Sequence, residues 1–159
     1  MKLELKPIGI IHSPHREANG TPIQPRWAEH VEGTVGVFAE FAAGLRNLDG
    51  FDRVWLIYWF DQARAPQLQV IPYRDSQPRG VFSTRAPCRP NPIGLSVVKL
   101  VRREGNVLHL DGVDVLDGTP LLDIKPYTAK FDKIETARNG WQDEVDEGTA
   151  QRRGRRAGP

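Results

Sequence analysis

The chain has 159 residues, 39 % of them apolar and including four Trp, six Phe and three Tyr, which is enough for one compact core and excludes wholesale disorder. Thirteen Pro and fifteen Gly argue against a helical bundle, and a single Cys excludes an internal disulfide framework. The 22 Lys and Arg nearly balance the 20 Asp and Glu, but Arg152, Arg153, Arg155 and Arg156 sit in an acid-free end, leaving residues 1–150 at a formal −2.

Residues 3–12 (LELKPIGIIH) are predicted as a first strand, with Pro7 placing it near an edge. Residues 33–38 (GTVGVF) follow as a strand and 39–46 (AEFAAGLR) as a short helix. Residues 52–60 (DRVWLIYWF), rich in β-branched and aromatic side chains, suit a strand buried on both faces. Shorter β-rich stretches come at 67–72 (LQVIPY) and 80–84 (GVFST). Residues 95–103 turn through Glu104-Gly105-Asn106 into 107–115 as a hairpin, and 121–124 (LLDI) close the series. The expected fold is mainly all-β: a closed or nearly closed barrel of short strands with one or two small helices. Its expected extent is residues 1–141, with 142–159 as a polar, Arg-rich, flexible tail able to contact phosphates or serving only solubility.

Three stretches carry functional groups in turn-forming sequence. Residues 12–26 (HSPHREANGTPIQPR) make a loop long for a plain connection. Residues 83–94 (STRAPCRPNPIG) place three prolines close together, so Arg85, Arg89 and Asn91 project from a stiff platform suited to a carboxylate, a phosphate or a nucleobase edge. Residues 111–126 hold Asp111, Asp114, Asp117 and Asp123 around an Asp-Gly-Thr-Pro turn. There Asp117 either caps backbone N–H groups or, beside the preceding strand, binds hydroxyls or an amine or accepts a proton.

Other chemistries lack their signatures. No Gly-rich phosphate loop is present, so Rossmann and Walker nucleotide sites are not expected. His12 and His15 lack Cys or Glu companions for zinc, and Cys88 has no neighbouring His as base, so neither metal nor thiol chemistry is expected. No apolar run matches a membrane span, and the residues MKLELKPIG lack a signal peptide's apolar stretch, so a cytoplasmic protein without membrane contact is expected.

Four blocks together, GIIHSPHRE (9–17), TPIQP (21–25), GVFSTRAPCRPNPIG (80–94) and LDGTPLLDIKPY (116–127), resemble the TsaA-like family of TrmO-type tRNA methyltransferases. The resemblance is collinear from about residue 6 to about residue 141. It implies an S-adenosylmethionine-dependent β-barrel enzyme that N6-methylates threonylcarbamoyladenosine beside the tRNA anticodon, and a homodimer with the cofactor near the subunit interface. Carried over position by position, cofactor contacts fall on Pro22, Ile23, Gln24, Asp61, Gln62, Arg85, Gly94, Leu95, Val113, Asp114 and Leu116. Family members often carry Arg in place of Ile23 and His in place of Asp61, so Asp61 is expected to contact the cofactor differently, through a ribose hydroxyl.

Methyl transfer is an in-line displacement that chiefly needs positioning. Arg85 is expected to pair with the cofactor carboxylate. Asp114 or Asp117 is expected to take the N–H proton, and Arg89 and Asn91 to hold the threonyl carboxylate and purine edge. Trp27, Lys125 and Tyr127 complete the expected tRNA contacts, with Trp141 a further stacking partner. Two alternatives are an RNA-binding β-barrel without catalysis and an S-adenosylmethionine-binding protein that transfers nothing.

Overall fold

The computed structural model describes residues 3–145 and Gly148. In chain order the strands are β1 (Gly9–His12), β2 (Glu32–Val37), β3 (Arg53–Trp59), β4 (Gln69–Val70), β5 (Arg79–Gly80), β6 (Ile93–Glu104), β7 (Val107–Asp111) and β8 (Thr119–Pro126). Six of them close an antiparallel barrel in the order β1-β2-β7-β6-β3-β8, while β4 and β5 pair as a separate ribbon. The mainly-β barrel expectation holds. The chain order also includes the α-helix α1 (Ala129–Asp132) and several 3-10 turns. None of these helices is long and apolar enough to cross a membrane.

Period-two alternation builds the core. In β3, Val54, Leu56 and Tyr58 point into the barrel, where they meet Ile11, Val35, Leu108, Leu110 and Leu121. The run at 52–60 is therefore buried on one face only. Its other face carries Trp55, Ile57 and Trp59, paired across the sheet with Val97, Leu95 and Ile93, and Trp59 stays 43 % exposed. Apolar composition hid the alternation, because both faces of this strand are hydrophobic.

Other boundaries shift for local reasons. The first strand begins only at Gly9, since Pro7 has no N–H to give a ladder. The expected helix at 39–46 is a 3-10 segment, Ala39–Leu45, whose Leu45 plugs one end of the barrel. The β-rich stretches at 67–72 and 80–84 shrink to the two-residue strands β4 and β5, bounded by Pro66, Pro72 and Pro78. The hairpin forms as expected, but β7 stops at Asp111 because Gly112, at φ 90°, turns the chain away.

Strand direction sorts the connections. Residues 38–52 and 105–106 lie at the end plugged by Leu45, whereas 13–31, 60–92 and 112–118 all emerge at the opposite rim. At that rim Gly94 faces Tyr58 across the β3–β6 ladder, and a Cβ there would lie 2.1 Å from the Tyr58 ring. Gly94→Ala must therefore push a buried ring. We expect a loss of about 1–3 kcal/mol in urea unfolding, against an unchanged midpoint if the ring could move freely.

Candidate functional site

The three connections at the open rim enclose a cleft of about 1300 Å3, above the range of roughly 300–1,000 Å3 typical of small-molecule sites. Each of the three sequence stretches singled out above contributes to its wall. The loop after β1 brings Ile23, Gln24, Arg26 and Trp27; the β3–β6 excursion brings Asp61, Gln62, Arg85, Arg89 and Asn91; the β7–β8 turn brings Val115 and Leu116. Gly94 and Leu95, at the start of β6, line it as well.

Loop placement begins with Asp117. Its carboxylate accepts from the Ser13 N–H at 3.2 Å, lies 3.2 Å from His12 Nδ1 and forms an ion pair with Arg16. Ser13 Oγ donates to the Val115 carbonyl at 2.6 Å, and His15 Nε2 lies 3.2 Å from the Val113 carbonyl. Gly118, at φ 82°, supplies the left-handed residue of the turn. Together these contacts sew the 13–31 loop to the 112–118 turn. Burial works to raise the Asp117 carboxyl, but Ser13, His12 and Arg16 outweigh it and hold the group below its ordinary 3.8. Asp117 does not line the cleft.

Asp114 sits behind the wall. Its Oδ1 accepts from Ser96 Oγ at 2.7 Å, and Ser96 Oγ lies 3.0 Å from the Tyr58 hydroxyl. All three side chains are buried; the Tyr58 ring lines the cleft and Asp114 does not. Pro22 and Val113 are likewise fully buried beneath the surface. Lys125 and Tyr127 stand elsewhere: Lys125 pairs with Asp123 at 2.8 Å, and Tyr127 packs 6.1 Å from Trp55 near the far end of β8. The strand direction of β8 carries the Lys-Pro-Tyr sequence away from the rim, a separation that linear adjacency to the Asp-Gly-Thr-Pro turn concealed.

Within the cleft, Arg85 Nη1 donates to Gln24 Oε1 at 2.6 Å, bridging two connections. Arg89 Nη1 braces its own loop, donating to the Thr84 carbonyl at 3.1 Å and the Ala86 carbonyl at 3.4 Å. Asp61 is the only carboxylate among the described lining residues, against Arg26, Arg64, Arg74, Arg85 and Arg89. Sequence reasoning missed Tyr58, Ile71, Tyr73, Arg74 and Phe82 as wall residues. Phe82 and Ile71 are 75 % and 64 % exposed, and no sequence pattern distinguishes them from ordinary strand residues. Among the described residues no three His, Cys, Asp or Glu side chains converge as a metal site.

The sequence model of the tRNA-methyltransferase O N-terminal domain matches residues 10–133. The chain belongs to this TrmO N-terminal domain family. A probable S-adenosyl-L-methionine-binding protein of Pyrococcus abyssi is 55 % identical over 136 residues, covering 86 % of this chain and 74 % of that protein. A mouse tRNA (adenine(37)-N6)-methyltransferase is 40 % identical over 134 residues, covering 80 % of this chain but 31 % of the relative. The crystal structure of TrmO from Pseudomonas aeruginosa superposes with a TM-score of 0.75 at 41 % identity, over 90 % of this chain and 62 % of that one. The TrmO-type resemblance read from the four sequence blocks therefore holds.

The Asp117 network has a pH signature. With the folded carboxyl held below its ordinary value, its stabilisation is complete above about pH 4 and is lost as the pH falls through the folded value. Asp117→Asn should therefore be less stable than the parent protein at pH 7, with the gap narrowing below about pH 4. A gap constant across an acid series of thermal melts would show that the charge of Asp117 is not what ties the loops.

Proposed function

We propose that this protein is an S-adenosylmethionine-dependent methyltransferase that N6-methylates threonylcarbamoyladenosine beside the tRNA anticodon, acting as a homodimer in the cytoplasm. The observation that carries the reading is the make-up of the cleft: five Arg and one Asp set among exposed apolar and aromatic side chains, in a chain whose residues 1–150 are otherwise slightly acidic. An anionic, partly unstacked nucleotide matches that lining. The S-adenosyl-L-methionine-binding relative of Pyrococcus and the adenine(37)-N6-methyltransferase of mouse support the cofactor and the adenine N6 target.

The lining fits S-adenosylmethionine. Arg85 offers a guanidinium for a carboxylate, Gln24 an amide, and Ile23, Leu95 and Leu116 apolar surface for an adenine ring. When bound, the cofactor supplies an electrophilic methyl group with its leaving group already attached. Arg85, held to Gln24, orients the amino-acid end, and the stiff Pro-Asn-Pro platform holds the acceptor base in line. Arg89 and Asn91 lie along the wall where the threonyl carboxylate and purine edge would be held, Arg89 keeping its loop in shape through Thr84 and Ala86. As the acceptor N6 forms its new bond to carbon it must lose its proton. Asp61 Oδ is the carboxylate exposed in the cleft to take it, because Asp114 and Asp117 are committed behind the wall.

Dimerisation is supported by an apolar strip in which Trp59, Ile93 and Leu95 are exposed beside half-buried Trp55, Ile57 and Val97, since Leu95 and Ile93 belong to both strip and cleft. Trp59→Glu places a charge in that strip, and sedimentation should then report a monomer where the parent protein is a dimer. A parent protein that sediments as a monomer would overturn this assignment.

Transfer of labelled methyl from S-adenosylmethionine to tRNA pools with and without threonylcarbamoyladenosine tests the activity. Label on N6 in the modified pool alone is expected; cofactor binding with no label would leave a binding protein. Asp61→Asn should lower kcat by about 10²-fold at unchanged cofactor affinity. A weakened cofactor Kd with kcat retained would assign Asp61 to a ribose hydroxyl instead.

A further inference from the structure

The tip of the β3–β6 excursion is built around one carboxylate. Asp75 accepts from the Ser76 N–H at 2.7 Å and the Gln77 N–H at 3.2 Å, and from Arg79 Nε at 2.7 Å. That turn carries two guanidiniums in different directions. Arg74 lies over the Trp27 ring, 5.0 Å from its centroid, and Arg79 lies over the Trp141 ring at 5.7 Å. Trp27 comes from the 13–31 loop, on the 3-10 turn Pro25–Trp27, while Trp141 comes from the segment Gly140–Glu144 that follows the barrel. Trp141 is further fixed by its Nε1, which donates to the Ser83 carbonyl at 2.8 Å. One turn thus anchors two indoles from distant parts of the chain, and both indoles line the cleft.

The two pairs differ in a telling way. Arg79 is neutralised by Asp75, with Glu144 3.8 Å away, and does not line the cleft; it holds Trp141 in place. Arg74 lines the cleft, and its Nε is buried without a hydrogen-bond partner among the described residues. A guanidinium kept for architecture spends its N–H groups on carbonyls, as Arg89 does. Arg74 is instead a cation laid on an aromatic face beside an open cavity. Tyr73 next to it is 43 % exposed, and Phe82 adds a further uncovered ring.

We propose that Arg74 on Trp27, together with Trp141, forms two stacking jaws in the cleft wall for the unpaired nucleobases that flank the methylated one. Single-stranded RNA offers what both jaws accept: planar π-faces with phosphates beside them. The proposal rests on the RNA substrate inferred above and assigns the residues that would hold it. It also makes Arg74 a specificity residue for unpaired, stackable loops, because a base locked in a duplex cannot enter between the jaws.

The test uses the full chain and two separate titrations. Fluorescence anisotropy measures an anticodon stem-loop RNA carrying threonylcarbamoyladenosine, and calorimetry measures S-adenosylmethionine. Trp27→Ala and Trp141→Ala should each weaken RNA binding about tenfold, and Trp27→Phe should recover most of the loss. Arg74→Lys keeps the charge but loses the plane, so RNA affinity should fall about fivefold with the salt dependence unchanged. Cofactor affinity should stay within about twofold for Arg74→Lys and Trp141→Ala. Parent-like RNA affinity in all four variants would overturn the jaws while leaving the RNA substrate standing. A parallel fall in cofactor affinity would overturn them too, by showing a general disturbance of the cleft. A parent protein that binds the cofactor but no RNA would overturn the substrate reading itself.

Discussion

Barrel closure depends on four residues. Gly9–His12 is the shortest barrel strand, yet it pairs with β2 on one side and β8 on the other, and without it both would be open edges. The approach is close: a Cβ on Gly9 would lie 2.4 Å from the Gly36 carbonyl oxygen. Closure also determines where the loops go. Since β1 ends at the rim where β8 begins, the 13–31 loop leaves the barrel beside the 112–118 turn, and Asp117 can bind both.

Carboxylates at this rim include two that build turns and one that lines the cleft. Asp75 and Asp117 each organise a turn, and each titrates below its ordinary value. For Asp75 the Arg79 hydrogen bond is the largest cause, and for Asp117 three neighbours overcome burial. Groups held charged in this way are poor proton acceptors near neutral pH, because their basicity has been lowered along with their pKa. Asp114 is spent on Ser96 inside the barrel. Asp61 is the one carboxylate among the described residues that line the cleft, beside five arginines.

The cleft is also not confined to the part of the chain that defines the family. The family match ends at residue 133, whereas Trp141 reaches back to Ser83 and stands on the rim. β8 runs away from the rim and ends at Pro126, so the chain must return along the outside of the barrel to place that indole. Most of the cleft's described lining thus lies within the shared domain, and Trp141 and Gln142 join it from beyond.

Much of this protein is legible without coordinates. Alternation in 33–37, 95–103 and 107–111 determines the strands, Gly105-Asn106 determines the hairpin, and the proline-bounded Arg-Pro-Asn-Pro-Ile-Gly and Asp-Gly-Thr-Pro blocks mark the site. The reason is that turn chemistry and binary pattern are local properties. Which face of β3 is covered, that Asp114 and Asp117 stand behind the wall, and that Lys125 and Tyr127 point elsewhere were decided only by the tertiary structure. So was the meeting of Arg74 with Trp27 and of Arg79 with Trp141. The Arg-rich end, read from sequence as a phosphate contact or a solubilising tail, lies outside the described residues. Side chains far apart in the chain come together through barrel closure and strand direction, and no spacing along the sequence encodes those distances.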